Sequence, residues 1–170
     1  MNETRERLLA HVREHPGRHA SALGREFDLA TGQLQYHLKR LRRDGAVVAD
    51  ERHGRTHYFP PGYDDRERER LALARRETSR AALAALLAAG ETPAATLAER
   101  LDVARSTLSY HVDRLRDAGL ITERRDERGR VHLSLANPEA ARSLLATVEP
   151  STPDRLVDRF TRLVDELLDG

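Results

Sequence analysis

Apolar residues recur along this chain first three to four apart and then in short runs, and that succession sets out the elements. Leu8, Leu9 and Val12 share one face within Thr4 to His15, and Pro16-Gly17 ends that helix. Ser21 to Phe27 predicts a second, short helix with Leu23 and Phe27 four apart. After the turn Asp28-Leu29-Ala30 a third runs from Thr31 to Asp44, its inward face made by Leu34, His37, Leu38 and Leu41. Gly45 closes it in the left-handed conformation that glycine tolerates best. Val47-Val48-Ala49 and Thr56 to Phe59 then read as two short strands joined by a polar loop, Asp50 to Arg55.

The same order returns 74 residues later. A helix over Ser79 to Ala89 is followed by Thr92 as N-cap with Pro93 at the first helical position, and by a helix to Arg100. The turn Leu101 to Ala104 leads to a helix from Arg105 to Ala118, with Leu108, His111, Val112 and Leu115 inward and Gly119 closing it. Strands Leu120 to Glu123 and Val131 to Leu135 flank the loop Arg124 to Arg130, one residue longer than its counterpart. Between Ala20 and Gly45 eleven positions are identical at the offset: Ala20, Leu23, Asp28, Ala30, Leu34, Tyr36, His37, Arg40, Leu41, Arg42 and Gly45. The chain is therefore a duplication of one small module.

Three helices followed by a two-stranded hairpin is the winged helix-turn-helix plan, in which the third helix enters the major groove and the hairpin lies near the backbone. The expected fold class is mainly α with small β wings. Residues 1–63 form the first module, 64–78 a helical linker, 79–136 the second module and 137–170 C-terminal helices. The pattern S-x-L-S-Y-H-x-x-R-L-x-x-A-G-L-I, standing as Ser106 to Ile121, resembles winged-helix regulators of the ArsR and MarR kind, and the tandem arrangement resembles the small two-winged-helix regulators common in haloarchaea. The resemblance covers about two thirds of the chain and implies a DNA-binding transcriptional regulator. Two departures stand out. Gly32 interrupts a stretch where the pattern favours hydroxylated residues, and the chain has no cysteine, so the ligands of metal-sensing ArsR proteins are absent.

With the leucines inward at about 100° per residue, the opposite side of the first recognition helix shows Thr31, Gln33, Gln35, Tyr36, Lys39, Arg40 and Arg43. Arg and Lys suit guanine or phosphate, Gln suits adenine, and a tyrosine hydroxyl can bond a phosphate. Arg52 and Arg55 add charge from the wing. The second copy offers Ser106, Thr107, Ser109, Tyr110 and Arg114, but Asp113 and Asp117 stand where the first has Lys39 and Arg43. Those carboxylates repel phosphate, so the first module is expected to dominate affinity, while Arg124, Arg125, Arg128 and Arg130 in the second wing add backbone contacts. His37 and His111 read as packed side chains with one hydrogen-bonded nitrogen. His11, His15 and His19 are four apart, but Pro16-Gly17 breaks their register, and His53 and His57 are no better constrained, so no metal site is assigned.

A net charge of +1 argues neither for nor against nucleic acid, but its distribution does more: residues 1–63 carry +3, 64–78 carry 0, 79–136 carry +1 and 137–170 carry −3. The missing cysteines exclude disulfides and thiol chemistry. No catalytic grouping or phosphate loop stands out, so neither an enzyme nor a cofactor is expected. No apolar run reaches the roughly 20 residues that span a bilayer and no signal peptide precedes the first helix, so a cytoplasmic protein away from membranes is expected. Residues 66–89 contain no Pro or Gly and predict one continuous helix. Twenty-four such residues span about 36 Å, close to the roughly 34 Å between successive major-groove faces, so the helix would act as a rigid bridge.

Asn137-Pro138 starts another helix, and Pro153 a last one. In that last helix Leu156, Phe160, Leu163, Val164 and Leu167 belong to an apolar stripe that must be covered, and a homodimer is expected to cover it. The resulting reading is a regulator of double-stranded DNA, acting as a repressor that occludes promoter sequence. A winged-helix scaffold for protein partners, a nonspecific architectural DNA-binding protein and a sensor whose small-molecule or metal effector modulates DNA binding are the competing readings.

Overall fold

The computed structural model describes residues 2–149 of the 170-residue chain. Residues up to 61 form one compact unit and residues 62–148 a second. The first unit contains helices α1 (Glu3–Glu14), α2 (Ala20–Phe27) and α3 (Thr31–Arg43) with strands β1 (Arg18–His19), β2 (Val48–Arg52) and β3 (Arg55–Phe59). The second contains α4 (Asp65–Ala74), α5 (Glu77–Ala89), α6 (Ala94–Leu101), α7 (Arg105–Asp117) and α8 (Pro138–Thr147) with β4 (Thr92–Pro93), β5 (Ile121–Arg125) and β6 (Val131–Leu135). The recognition helices end one residue short of Asp44 and Ala118, as fraying ends do.

Each unit carries a three-stranded antiparallel sheet, in the orders β1-β3-β2 and β4-β6-β5. The two-residue strands β1 and β4 pair Arg18 with Tyr58 and Thr92 with Leu133. Two residues are too few to show a period, so these strands leave no hydrophobic signature. Thr92 consequently does not cap α6. Its hydroxyl donates to the Gly90 carbonyl at 3.0 Å while Pro93 takes the N-cap position.

In the first wing the expected loop Asp50 to Arg55 is mostly strand, since Arg52 pairs with Arg55 and only His53 and Gly54 remain to turn the chain. Both have positive φ, 52° and 78°, the signature of the tight turn whose twist matches a hairpin. The longer second loop, residues 126–130, is organised by Asp126, whose carboxylate accepts from the backbone N–H groups of Arg128 at 2.9 Å and Arg130 at 3.0 Å.

Apolar burial holds each unit. Leu8, Val12, Leu23, Leu34, Leu38 and Leu41 join Val47 and Tyr58 in the first core. Leu83, Leu86, Leu97, Leu108, Leu115, Ile121 and Leu133 are buried in the second. Asp28 and Asp102 both take the left-handed conformation, φ 48° and 53°, in the turn between the second and third helix of each copy.

The largest departure from expectation lies in residues 66–89, which form two helices. Arg75 ends α4, Arg76 has ψ 133°, and α5 begins at Glu77. No Pro or Gly forces the break; burial does. Leu71, Ala72, Leu73 and Ala74 are buried within the second unit while Ser79, Ala82, Leu83 and Leu86 of α5 are buried as well, and α4 packs on α5, α7 and α8. A straight rod would leave one of these stripes in water. Asp64 and Glu67 start α4 with a reciprocal capping box at 2.8 Å each way. Asn137 caps α8 through the Ala140 N–H at 3.1 Å. The expected dimerisation stripe from Leu156 to Leu167 lies outside the described residues.

Candidate nucleic-acid interface

Helix α3 buries Leu34, Leu38 and Leu41 and turns Thr31, Gln33, Gln35, Tyr36, Lys39 and Arg43 to the outside. Tyr36, 55% exposed, is one of two large hydrophobic side chains left in solvent among the described residues; the other is its duplicate Tyr110, at 41%. A buried tyrosine needs no further explanation, but an exposed one repeated on the same helix face does. The Arg40 guanidinium carbon lies 5.9 Å from the Tyr36 ring centroid, close enough for a weak cation–π contact. Arg43 lies 3.5 Å from Asp44, an exposed pair that solvent screens. Lys39 has no carboxylate partner among the described residues.

Gln35 differs from its neighbours. Its side chain hydrogen-bonds the Tyr58 hydroxyl of β3. Burial pushes that hydroxyl's pKa up, while the Arg42 charge and the Gln35 bond pull it back. Gln35 therefore fastens the recognition helix to its wing, a role that helical position alone does not reveal. In the wing, Arg52 places both Nε and a terminal nitrogen on one Asp50 oxygen, at 2.8 and 2.7 Å, because residues two apart on a strand share a face. Arg55 is exposed and lies 3.4 Å from the His19 ring, whose Nδ1 accepts from the Ala22 N–H and so caps α2.

On α7, Ser106, Thr107, Ser109 and Tyr110 are exposed. Arg114 stacks its guanidinium carbon 3.4 Å over the Tyr110 ring and donates to the Tyr110 carbonyl at 3.1 Å, so this cation is folded onto its own helix. Asp113 accepts from Arg116 at 3.1 Å, and Arg116 also reaches Glu123 at 2.9 Å. The four wing arginines divide. Arg124 is paired with Glu91, which pulls the Glu91 carboxyl below its usual range and raises the guanidinium. Arg130 donates to Asp126 at 2.8 Å. Arg125 meets only the Gly129 carbonyl, at 3.2 Å, and Arg128 is exposed at the tip. Asp126 sits well below the ordinary carboxylate range, first because His132 bonds it at 3.0 Å and then because the Arg130 backbone does. Sequence reasoning missed Glu91 and Asp126 as the groups that neutralise half of this wing; Glu91 meets Arg124 only once the strands pair, whereas Asp126 meets Arg130 within the loop, four residues on.

The duplicated histidines part company too. His111 is buried and bonds the Ser79 hydroxyl at 2.9 Å through Nδ1. Burial, then the charges of Arg76 and Arg114, hold its pKa below the usual imidazole value. His37 is half-buried with a buried Nδ1 that makes no hydrogen bond; at the position equivalent to Ser79 the first copy has Arg5, whose Nε is likewise unpartnered. His11 stacks near His15 and edges against Phe27, while His19 is committed to the α2 cap. Among the described residues no group of three or more His, Asp or Glu converges as metal ligands do.

Neither α3 nor α7 has a side-chain cap, so the first-turn N–H groups of both remain open at the helix end where anions are favoured. At the other end of α7, the Arg70 side chain from α4 donates to the carbonyls of Ala118 at 3.0 Å and Gly119 at 3.4 Å, satisfying groups that a helix leaves unpaired. Among the described residues no helix is long and apolar enough to cross a membrane.

Comparison with known proteins finds a helix-turn-helix domain in each module. A family model described as an N-terminal HTH domain matches residues 2–71, and one described as a helix-turn-helix domain matches residues 73–124. No curated protein matches the chain. Among solved structures, the homodimeric winged helix-turn-helix DNA-binding domain of a possible ArsR-family regulator from Mycobacterium bovis aligns at 24% identity and TM-score 0.39, over 64% of this chain and 94% of that one. MepR, a regulator of a multidrug efflux pump in Staphylococcus aureus, aligns at 18% identity and TM-score 0.38, over 60% and 89%. The PcaV transcriptional regulator of Streptomyces coelicolor aligns at 20% identity and TM-score 0.42, over 84% and 96%.

Proposed function

For a chain that belongs to the helix-turn-helix proteins, with two winged domains of that kind in tandem, we propose sequence-specific recognition of double-stranded DNA, with the first module supplying most of the affinity and promoter occlusion as the outcome. The observation that carries this reading is the outer side of α3, where Gln33, Tyr36, Lys39 and Arg43 stand exposed beside a tight wing. A chain gains nothing from an exposed tyrosine among cations unless something planar or anionic meets it, and a nucleic acid groove offers both. The second module adds contacts through Arg128 and the open end of α7, but its cations are largely spent on Glu91, Asp126, Asp113 and Glu123. Assembly as a homodimer through the C-terminal stripe completes the reading.

The test is the salt dependence of duplex binding. Lys39→Ala, Arg40→Ala and Arg43→Ala together should weaken binding to every duplex and lower the slope of log K against log salt by about 0.9 for each phosphate no longer neutralised. An unchanged slope removes α3 from the interface. Complete loss of duplex affinity in the unaltered chain at low salt would leave a protein-docking role, which the exposed carboxylates Asp113 and Asp117 would suit.

A further inference from the structure

Gly32 stands in the first turn of α3, the helix that carries the exposed cations, although glycine is disfavoured in helices relative to every residue but proline. No positive φ requires a glycine there. Packing does not require one either: beyond its own stretch of helix, nothing lies within 4 Å of the place where a Cβ would stand. The second module holds Ser106 at this position. The missing side chain therefore leaves open space on the outer side of α3, one turn before Tyr36.

Tyr36 leans over that space, because helical side chains point back toward the N-terminus. Its ring is braced by His37, with centroids 5.3 Å apart at 70°, while the Arg40 guanidinium carbon stays 5.9 Å away. Tyr110 is braced alike by His111, at 5.2 Å and 83°, but there Arg114 lies 3.4 Å over the ring and Ser106 takes the place of Gly32. The first module thus sets an uncovered aromatic ring beside bare helix, and the second covers both. A recess of that kind, with no charge of its own, suits a small apolar group. The apolar group that base edges offer in the major groove is the C5-methyl of a pyrimidine. Phosphate contacts carry no sequence information, and Gln35 is committed to Tyr58, so selectivity has to come from what remains on this face. We infer that Gly32 and Tyr36 receive the methyl group of a 5-methylpyrimidine, and that this contact makes the first module choose among sequences. Gln33, exposed next to Gly32, offers the amide that suits adenine, the partner of thymine. The inference rests on the DNA-binding reading above and names the base feature that α3 reads.

The test takes the full chain and the duplexes it selects from a random pool. Each thymine is exchanged in turn for deoxyuridine, which lacks only the methyl group, and each cytosine for 5-methylcytosine, which only gains it. At one position the methylated base should bind about fourfold more tightly than its counterpart, the worth of one methyl group removed from water. A response to the first exchange identifies thymine as the source, and a response to the second alone identifies methylated cytosine; either sustains the recess. Gly32→Ser, which installs the residue of the second module, and Tyr36→Ala should each erase the difference. Lys39→Ala should weaken every duplex and leave the difference in place. Gly32→Ser should also raise the melting temperature of the first unit, since serine suits a helix better than glycine, so its lost discrimination cannot come from lost folding. Equal affinity in both exchanges at every position, or a difference that survives Tyr36→Ala or Gly32→Ser, would overturn the inference and leave duplex binding standing. Absence of duplex affinity at low salt would overturn both.

Discussion

The two modules share eleven identities around the turn and recognition helix yet spend their charges in different ways. In the first, α3 presents Lys39 and Arg43 outward, and its polar investment beneath the surface is the Gln35–Tyr58 bond that closes helix against wing. In the second, nearly every cation near α7 has a carboxylate or a carbonyl to face: Arg116, Arg124, Arg130 and Arg70 are all engaged. Duplication preserved the left-handed aspartates, the closing glycines, most inward leucines and the Tyr-His pair, while Lys39 and Arg43 gave way to Asp113 and Asp117. The lesson is that a shared scaffold does not confer a shared interface.

Core substitutions should separate the two units most strongly. Leu41→Ala and Leu115→Ala each empty a fully buried site and should destabilise by about 2–5 kcal/mol. Amide hydrogen exchange should show each change loosening its own unit; equal loosening of both by one substitution would mean that the modules fold as a single body.

Exchanging surface charge comes next. Asp113→Lys with Asp117→Arg gives α7 the cations of α3 and should tighten duplex binding, steepening the salt slope by about 0.9 for each further phosphate neutralised. An unchanged affinity and salt slope would show that α7 does not face a duplex. The turn of the first wing offers a smaller effect. Gly54 has φ +78°, so Gly54→Ala should cost about 1–2 kcal/mol in a thermal melt of the first unit. A neutral result would show the hairpin relaxing into another turn.

The slightest effect concerns pH. Because burial holds His111 below its ordinary value of 6.5, the unfolded chain takes up this proton before the folded one does as pH falls. The second unit should thus keep its stability above that value and lose part of it on acidification through the window beneath it. Thermal melts between pH about 7.5 and 5.5 should show the loss shrinking in His111→Gln; stability that rises on acidification would contradict the assignment.

Much of this architecture is legible in the chain. The 3.6-residue spacing of Leu34, Leu38 and Leu41, repeated at Leu108, Val112 and Leu115, fixes which side of each recognition helix is inward, and the wings follow from short apolar runs beside glycine. Two things escape because they depend on tertiary contact. The break at Arg75-Arg76 has no local signal, since only burial of Leu71 and Leu73 against α5 decides it. Two side-chain pairings are equally nonlocal: Arg124 meets Glu91 only after β4 and β5 flank β6, and Gln35 meets Tyr58 only after the wing folds onto α3.

The grip of Arg70 on the carbonyls of Ala118 and Gly119 bears on where the polypeptide can be cut. A fragment begun at residue 79, where the repeat alone places the edge of the second module, would strip away the guanidinium that terminates its reading helix and uncover the pocket that Leu71 and Leu73 fill. Trimming from the front should start no later than Asp64, whose carboxylate sets the first turn of the helix that carries that arginine.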